Sequence, residues 1–468
     1  MSGKGRKLPS TDRLARGRLS PEIYPSCEGA WRYEHHRVGG ASRHVSARDY
    51  ARSNERQEIE MDYMQLPLSG LEAPLNEMEQ MIQDNVHHFA LNVMRPAGVE
   101  LDRLSADEAV APGSPLWKVL EKANELGLSM TAMAELPPLD RVKLFAIASE
   151  ELAWGDAGLA GSILVNHFPV IYSMLAGNME MVHYCEGKLG CWGITESEHG
   201  SDMLDANAAV ASPAGSYGRP SCVARIVGDK IIVNGQKAAW ISGAVTAEVC
   251  ALYCHLEEGG KTRPGVALIV PLDLPGVSRG KPLDKIGFRG MNQGELYFDN
   301  VEVPMANLLA GPDTYQDFVY RTLCEANPHV AATSVGIARA AFEHALEYAH
   351  HRKQGGVAII QHTGMRLRLF EMFRKVEAAR ALTRRVMAFN TTAPRPSLLA
   401  SAAAKVTATQ AAFEVASEAV QIFGGNGVTR EYPVEKLFRD ARSSMIADGL
   451  NEILGMKGGS DLINPDWL

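Results

Sequence analysis

Four short stretches of this chain hold residue types that could do chemistry. "CWGITESEHGSD", residues 191–202, offers two hydroxyls (Thr195 and Ser201), the planar face of Trp192 and a glycine, Gly200, that lets backbone come close. Such a loop suits a flat, polar heteroaromatic ring bearing phosphates; taken alone it reads first as an ordinary entry into a strand. In "QKAAWISGA", 236–244, Trp240 and Ser242 alternate with Ile241, so on a strand the indole and the hydroxyl share one face. The pair could border a ring and hydrogen-bond its edge, or the tryptophan could be core. "QIFGGNGVTREYPVEKLFRDAR", 421–442, sets two glycines after a long helical pattern, which permits a left-handed turn and close backbone approach. It is not G-x-G-x-x-G after a strand, so the dinucleotide fingerprint is absent. In "IADGLNEIL", 446–454, a carboxylate, Asp448, precedes a glycine, Gly449. That carboxylate is either a working acid–base group or a structural helix end.

The elements that must position these residues follow from periodicity. Residues 1–64 are rich in Arg, Gly, Ser and His and poor in apolar period, which predicts an extended arm. Residues 65–190 predict helices. In "SPLWKVLEKANELGLS", Ser114 is a candidate cap, Pro115 suits the first turn, Leu116, Val119, Leu120 and Ala123 form one face, and Gly127 ends the pattern. Residues 191–310 change to short β-prone runs with turn signals at Gly228-Asp229 and Asn234-Gly235, which predicts a compact, mainly antiparallel β domain. Residues 311–468 return to long amphipathic helices, two of them separated by "TTAPRP". The fold class expected is α+β: helices, a β domain, then a helical bundle.

The totals agree with that plan. A chain of 468 residues suggests roughly three domains at about 150 residues each. The hydrophobic share of 46% supports a large core, and the longest apolar runs fall far short of the roughly 20 residues of a membrane span. A formal charge of -8 disfavours a general affinity for nucleic acid, although the Arg-rich arm leaves a nucleic-acid-binding reading to test. Seven scattered cysteines show no metal spacing, so no metal is expected. Cys250 and Cys254 would share one face of a strand as buried thiols, which fits a reducing compartment. No apolar segment of signal-peptide type follows the N-terminus, and the acidic residues there argue against a transit peptide. A cytoplasmic location is expected, or the mitochondrial matrix in a eukaryote. His87-His88 and His350-His351 are expected on solvated helix faces.

Taken together, the four stretches resemble the acyl-CoA dehydrogenase family of flavoproteins. "GITESEHGSD" looks like the family's "TEPGAGSD" loop, "WISGA" like its "WITNG" strand, and "GFRGMNQGELYFDNVEVPMANLL" like the end of its β domain. "QIFGGNGVTREYPVEKLFRDAR" is close to the family's own glycine turn and "RDAR" segment. The similarity runs over about residues 70–460 in the family's order. It implies an N-terminal helical domain, a central antiparallel β domain and a C-terminal four-helix bundle, assembled as homodimer or homotetramer. It implies FAD as cofactor, an acyl-CoA substrate, and an electron-transferring flavoprotein or other acceptor as partner.

Carried over by position, the resemblance assigns Thr195 to the pyrimidine side of the flavin and Ser242 to its N5 edge. Trp192, Ile194 and Trp240 would line the ring, and Ser201 would reach the pyrophosphate and border the substrate. Arg352 matches an arginine that in this family reaches a neighbouring subunit's FAD phosphates, while Gln421, Gly424 and Gly425 would cradle the adenosine half. Glu196 and Asp202 would hold the flavin loop. The family's base is a glutamate in a Glu-Gly pair after "RDAR"; here the pair is Asp448-Gly449. Asp448 would take the substrate's α-proton as the β-hydrogen leaves as hydride, and its backbone N–H would help hold the developing enolate oxygen, with Gly449 beside it.

Two departures bear on the substrate. Aspartate is one methylene shorter, so its oxygens stop short by roughly 1.3 Å for a C–C bond of about 1.5 Å. A compact, branched or cyclic acyl group could approach closer; otherwise the base is Glu325, near the place where some family members carry it on a helix. Where the family has an arginine at the start of that helix, this chain has Asn327. The aspartate also admits a nitroalkane-oxidase-like flavin oxidase, since those relatives use an aspartate base at the corresponding place.

Overall fold

A computed structural model describes residues 75–204, 220–259 and 261–463; the arm expected at 1–64 lies outside them. The helical region opens at Glu77–Phe89, where Asn76 and Glu79 cap each other's backbone N–H groups, and closes at Met179–Cys185. The helix Pro115–Asn124 buries Leu116, Val119, Leu120 and Ala123, the face read from the sequence. Ser114 does not cap it; its hydroxyl donates to the carbonyl of Ala109 at 2.7 Å.

The sheet has eight strands: β1 (Gly190–Gly193), β2 (Cys222–Val227), β3 (Lys230–Ser242), β4 (Val249–Glu258), β5 (Lys261–Pro271), β6 (Val277–Arg279), β7 (Gln293–Pro304) and β8 (Leu308–Ala310). Their order is β6-β7-β3-β2-β4-β5-β8, with β1 also on β4. The sheet is mixed rather than antiparallel throughout, because β4 runs parallel to both β1 and β2. Tight-turn signals report only hairpins; these parallel pairs are joined by long connections that leave no such signal. Gly228-Asp229 does form the β2–β3 turn. Asn234-Gly235 does not turn the chain: it is a bulge inside β3. Gly235 has φ +116°, and a Cβ there would lie 2.0 Å from the carbonyl oxygen of Ser221. A glycine with that conformation re-aims the strand rather than ending it. Cys250 lies opposite Cys191 in the parallel ladder, and both are buried free thiols, as are Cys222 and Cys254.

The C-terminal region is built on the long helices Tyr315–His351, Thr363–Thr392 and Leu398–Phe423, followed by Val434–Ser444 and Asn451–Leu462. The first runs through Pro328 and starts earlier than the apolar period suggests. A buried ionic network joins it to the helix Pro138–Gly155. Glu150 meets Arg339 at 3.2 Å, Arg380 at 2.8 Å and Arg384 at 3.1 Å, while Glu151 meets Arg339 at 2.7 Å. Glu343 accepts from Arg339 at 2.9 Å and from the indole of Trp154 at 2.5 Å. His87 belongs to this network. It is buried, 2.8 Å from Glu151 and packed at a tilt against Trp154, so it is not on a solvated face. Its neighbour His88 and the pair His350-His351 are exposed.

Candidate active site

The hydroxyl loop leaves β1 and is pinned from below. Glu196 is wholly buried, 2.7 Å from the buried ammonium of Lys237 on β3, and it accepts from the backbone N–H of Ser221 at 2.5 Å. Lys237 also donates to the carbonyl of Ile194 at 3.0 Å, and Ala238 N–H donates to the carbonyl of Thr195 at 2.9 Å. Asp202 accepts from Gly200 N–H at 2.6 Å and pairs with His199 at 2.8 Å. Both acids therefore hold the loop, and Thr195 is fixed beside β3.

On that stretch of β3, Ile241 is buried, Ser242 is half-buried and Trp240 is 61% exposed. Gln293 on β7 donates to the Ser242 hydroxyl at 3.0 Å and to the Trp240 carbonyl at 3.2 Å, which fixes the two together. An indole left this open on a framed strand suits a flat ring stacked beside it. Trp192 is buried on the other side of the loop, edge-on to Phe168, Tyr172 and Tyr253, with its indole N–H unpartnered.

The contact that closes the site spans 249 positions: the backbone N–H of Leu450 donates to the Ser201 hydroxyl at 3.1 Å. It brings the Asp448–Gly449 turn, between the last two helices, against the hydroxyl loop. Asp448 takes φ +50° and Gly449 φ +108°, a left-handed pair that aspartate tolerates better than most side chains. Burial pushes the Asp448 carboxyl up to about 6, against the opposing pull of Lys405. Lys405, on the helix Leu398–Phe423, donates to the Gly449 carbonyl at 2.7 Å, Asn451 Oδ1 at 2.8 Å and the Met445 carbonyl at 3.2 Å. Neither Lys237 nor Lys405 was singled out from the sequence. Their signal is a single charge on an otherwise apolar face, as in "SAAAKVTAT".

Glu325 lines a cavity of about 440 Å³ with Arg141, Phe145, His329 and Asn390. Burial raises its carboxyl as well. Burial first, then the charges of Asp448 and Glu325, raise the phenol of Tyr172, so both candidate bases act on that buried ring. Asn327 is not on that cavity. It is wholly buried, donates to the carbonyl of Leu323 at 3.1 Å, one helical turn back, and leaves its side-chain oxygen unpartnered.

Arg352, Gln421, Gly424 and Gly425 form a second group. All four are exposed, at the neighbouring ends of the helices Tyr315–His351 and Leu398–Phe423. Tyr348 stacks on Phe423 at 3.9 Å and accepts from Asn426 at 3.0 Å, which ties those ends together. A Cβ at Gly424 or Gly425 would meet nothing within 4 Å, so these glycines present open backbone. Among the described residues no hydrogen bond or ion pair links this group to the Thr195–Trp240–Asp448 group.

Residues 191–301 match the acyl-CoA dehydrogenase middle domain, and residues 318–461 match the acyl-CoA dehydrogenase C-terminal domain. The mitochondrial short-chain specific acyl-CoA dehydrogenase of Rattus norvegicus is 30% identical over 389 residues, covering 81% of this chain and 88% of that protein. The cyclohex-1-ene-1-carbonyl-CoA dehydrogenase of Geobacter metallireducens is 29% identical, covering 84% and 99%. Butyryl-CoA dehydrogenase from Megasphaera elsdenii superposes with a TM-score of 0.73 at 27% identity, covering 84% of this chain and 100% of that one. The chain belongs to the acyl-CoA dehydrogenase family. It is an oxidoreductase acting on CH–CH bonds, with the family's fold of helices, central sheet and C-terminal helical bundle.

Proposed function

We propose that the protein carries out FAD-dependent α,β-dehydrogenation of a compact acyl-CoA thioester, with Asp448 as the base. The observation that carries this is the Leu450–Ser201 contact, which sets the turn that bears a raised carboxyl against the hydroxyl loop. FAD, when bound, supplies the two-electron oxidation by accepting the β-hydrogen as hydride. Thr195, Ser242 and Trp240, with Trp192 and Ile194 behind them, would hold its ring. Ser201 would serve its pyrophosphate and the edge of the substrate. Arg352 would reach the FAD phosphates of a neighbouring copy, and Gln421, Gly424 and Gly425 would cradle the adenosine half.

The chain's own part is proton chemistry. Asp448, raised to about 6, is ionised at neutral pH yet basic enough to take an α-proton beside a thioester. Among the described residues no acceptor takes the backbone N–H of Asp448 or Gly449, which leaves these donors for an enolate oxygen. The shorter aspartate base suits a short, branched or cyclic acyl group that can approach closely, beside the packed rings of Phe168, Tyr172 and Trp192. The short-chain and cyclohexene-carbonyl activities of the relatives lean the same way. Leu367, Phe370 and Phe373 are exposed along one side of the Thr363–Thr392 helix, which supports assembly as a dimer or tetramer. An electron-transferring flavoprotein would accept the electrons. No single helix among the described residues is long and apolar enough to cross a membrane.

Anaerobic mixing with a panel of acyl-CoA thioesters, on wild type and Asp448→Asn together, tests this. Wild type should bleach with one class of thioester; the variant should keep FAD and lose rapid bleaching. Rapid bleaching retained in Asp448→Asn would move the base to Glu325. The aspartate itself favours one second reading, a nitroalkane oxidase; peroxide formed from nitroalkanes without acyl-CoA turnover would select it.

A further inference from the structure

We infer that Lys405 is a positioning residue for the proton-transfer step: its three hydrogen bonds hold the Asp448–Gly449 turn, and its charge tunes how readily Asp448 takes a proton. The inference rests on the reading of Asp448 as the base for its catalytic consequence, but not for its geometry.

Lys405 is fully buried on a helix face otherwise made of Leu398, Ser401, Ala402, Ala404, Ala408 and Thr409. A buried ammonium needs acceptors for all three of its protons. Here all three go to the chain on either side of Asp448: Met445 before it, Gly449 and Asn451 after it. Asn451 is itself held, since its amide nitrogen donates to the Thr409 hydroxyl at 3.0 Å. The turn needs such an external brace because it has no regular secondary structure and carries two consecutive positive φ angles.

The charge acts on the carboxylate without forming a contact ion pair. Lys405 is no salt-bridge partner of Asp448, yet each responds to the other's charge: Lys405 opposes the burial that raises Asp448, and Asp448 opposes the burial that lowers Lys405 to about 8. The other ionisable groups turned toward the pair are few. Glu452, on the helix that follows, faces Lys405. From the packed helix Phe168–Leu175 comes Tyr172, whose phenol also feels Glu325 of the Tyr315–His351 helix. None of these is a cation, so among the described residues Lys405 is the one positive charge facing Asp448. An ammonium that contacts the turn's carbonyls, but not the acid, keeps Asp448 ionised without occupying the oxygens that must meet the substrate.

The test has two arms. In the first, unfolding midpoints are measured for wild type, Lys405→Gln, Asp448→Asn and the double variant, at pH 7.5 and pH 4.5. At pH 7.5 the loss of Tm from Lys405→Gln should be larger in the wild-type background than in the Asp448→Asn background. At pH 4.5, where Asp448 is protonated, the two losses should be equal. Equal losses at both pH values would overturn the electrostatic part, whatever Asp448 does in catalysis. In the second arm, FAD-loaded wild type, Lys405→Gln, Lys405→Arg and Asn451→Ala are bleached with butyryl-CoA across pH 5–9. Removing the charge should move the acid limb up by about one pH unit or more. Lys405→Arg should lower the rate with the limb unmoved, and so should Asn451→Ala. A limb unmoved in Lys405→Gln, with FAD content intact and Asp448→Asn inactive, sinks this inference alone. Should Lys405→Gln fail to fold, a wild-type rate in both Lys405→Arg and Asn451→Ala would sink the brace. Rapid bleaching in Asp448→Asn would instead sink the reading of the base.

Discussion

At residue 448 the side chain and the backbone conformation suit each other. The left-handed φ of +50° is tolerated by aspartate more readily than by longer acids. Asp448→Glu would add backbone strain and push the oxygens outward by roughly 1.3 Å. A misplacement of about 1 Å costs on the order of 100-fold, so Asp448→Glu should slow bleaching by a compact thioester by roughly that factor. Stopped-flow rates check this, and a rate at or above wild type would mean the site is set for the longer acid. The same carboxyl has a stability signature. Its native value, about 6, lies above the usual 3.8, so the fold prefers the neutral acid and loses stability as pH rises from about 4 through about 6. Asp448→Asn should therefore unfold later than wild type at pH 7.5, by on the order of 1–3 kcal/mol, and the two should converge near pH 4. The sequence made this residue legible through its place after "RDAR"; the lysine beneath it was not legible, because one lysine in a helix looks the same whether it points to solvent or into the core.

At the scale of elements, the hydroxyl loop depends on the buried Lys237–Glu196 pair. Lys237→Met leaves Glu196 charged and unpaired in the core, which costs about 3–5 kcal/mol; Lys237→Met with Glu196→Gln removes both charges and should recover much of that. Urea unfolding and FAD content check it: the single variant should lose both stability and FAD, and equal losses in single and double would deny the pair its role. The alternation of Trp240, Ile241 and Ser242 could be read from the sequence because a strand has only two faces. The bulge at Gly235 could not, since Asn-Gly is also the commonest hairpin signal and only the partner strand distinguishes the two uses. The burial of Asn327 was hidden for a related reason: a residue's place along a helix is visible in sequence, but which way it faces depends on what packs there.

At the scale of the molecule, the order of helices, sheet and bundle was readable from changes of period, whereas the joint between the first helical region and the bundle was not. That joint is ionic, and the partners it pairs across the two regions lie between 188 and 234 positions apart. Against a burial that would raise both carboxyls, Arg380, Arg384 and Arg339 hold Glu150 below the usual range, and Arg339 with His87 holds Glu151 down to about 2. A carboxyl depressed in the native state stabilises the fold above its unfolded value, about 4.3, and that stability is lost as pH falls through the native value. The wild-type urea midpoint should therefore drop between pH 4.5 and about 2; Asp448 opposes the drop only down to its unfolded value near 4 and adds little slope below it. Glu151→Gln should cost about 3–5 kcal/mol at pH 7, because Arg339 then loses a buried partner, and it should also flatten the acid slope. A structural role without charge would give the first effect and not the second. Glu150→Gln should behave alike and more strongly, since three arginines converge on that one carboxylate. If both variants keep the wild-type acid slope, the carboxyls are not held down by these arginines, and the two regions are joined by apolar packing alone.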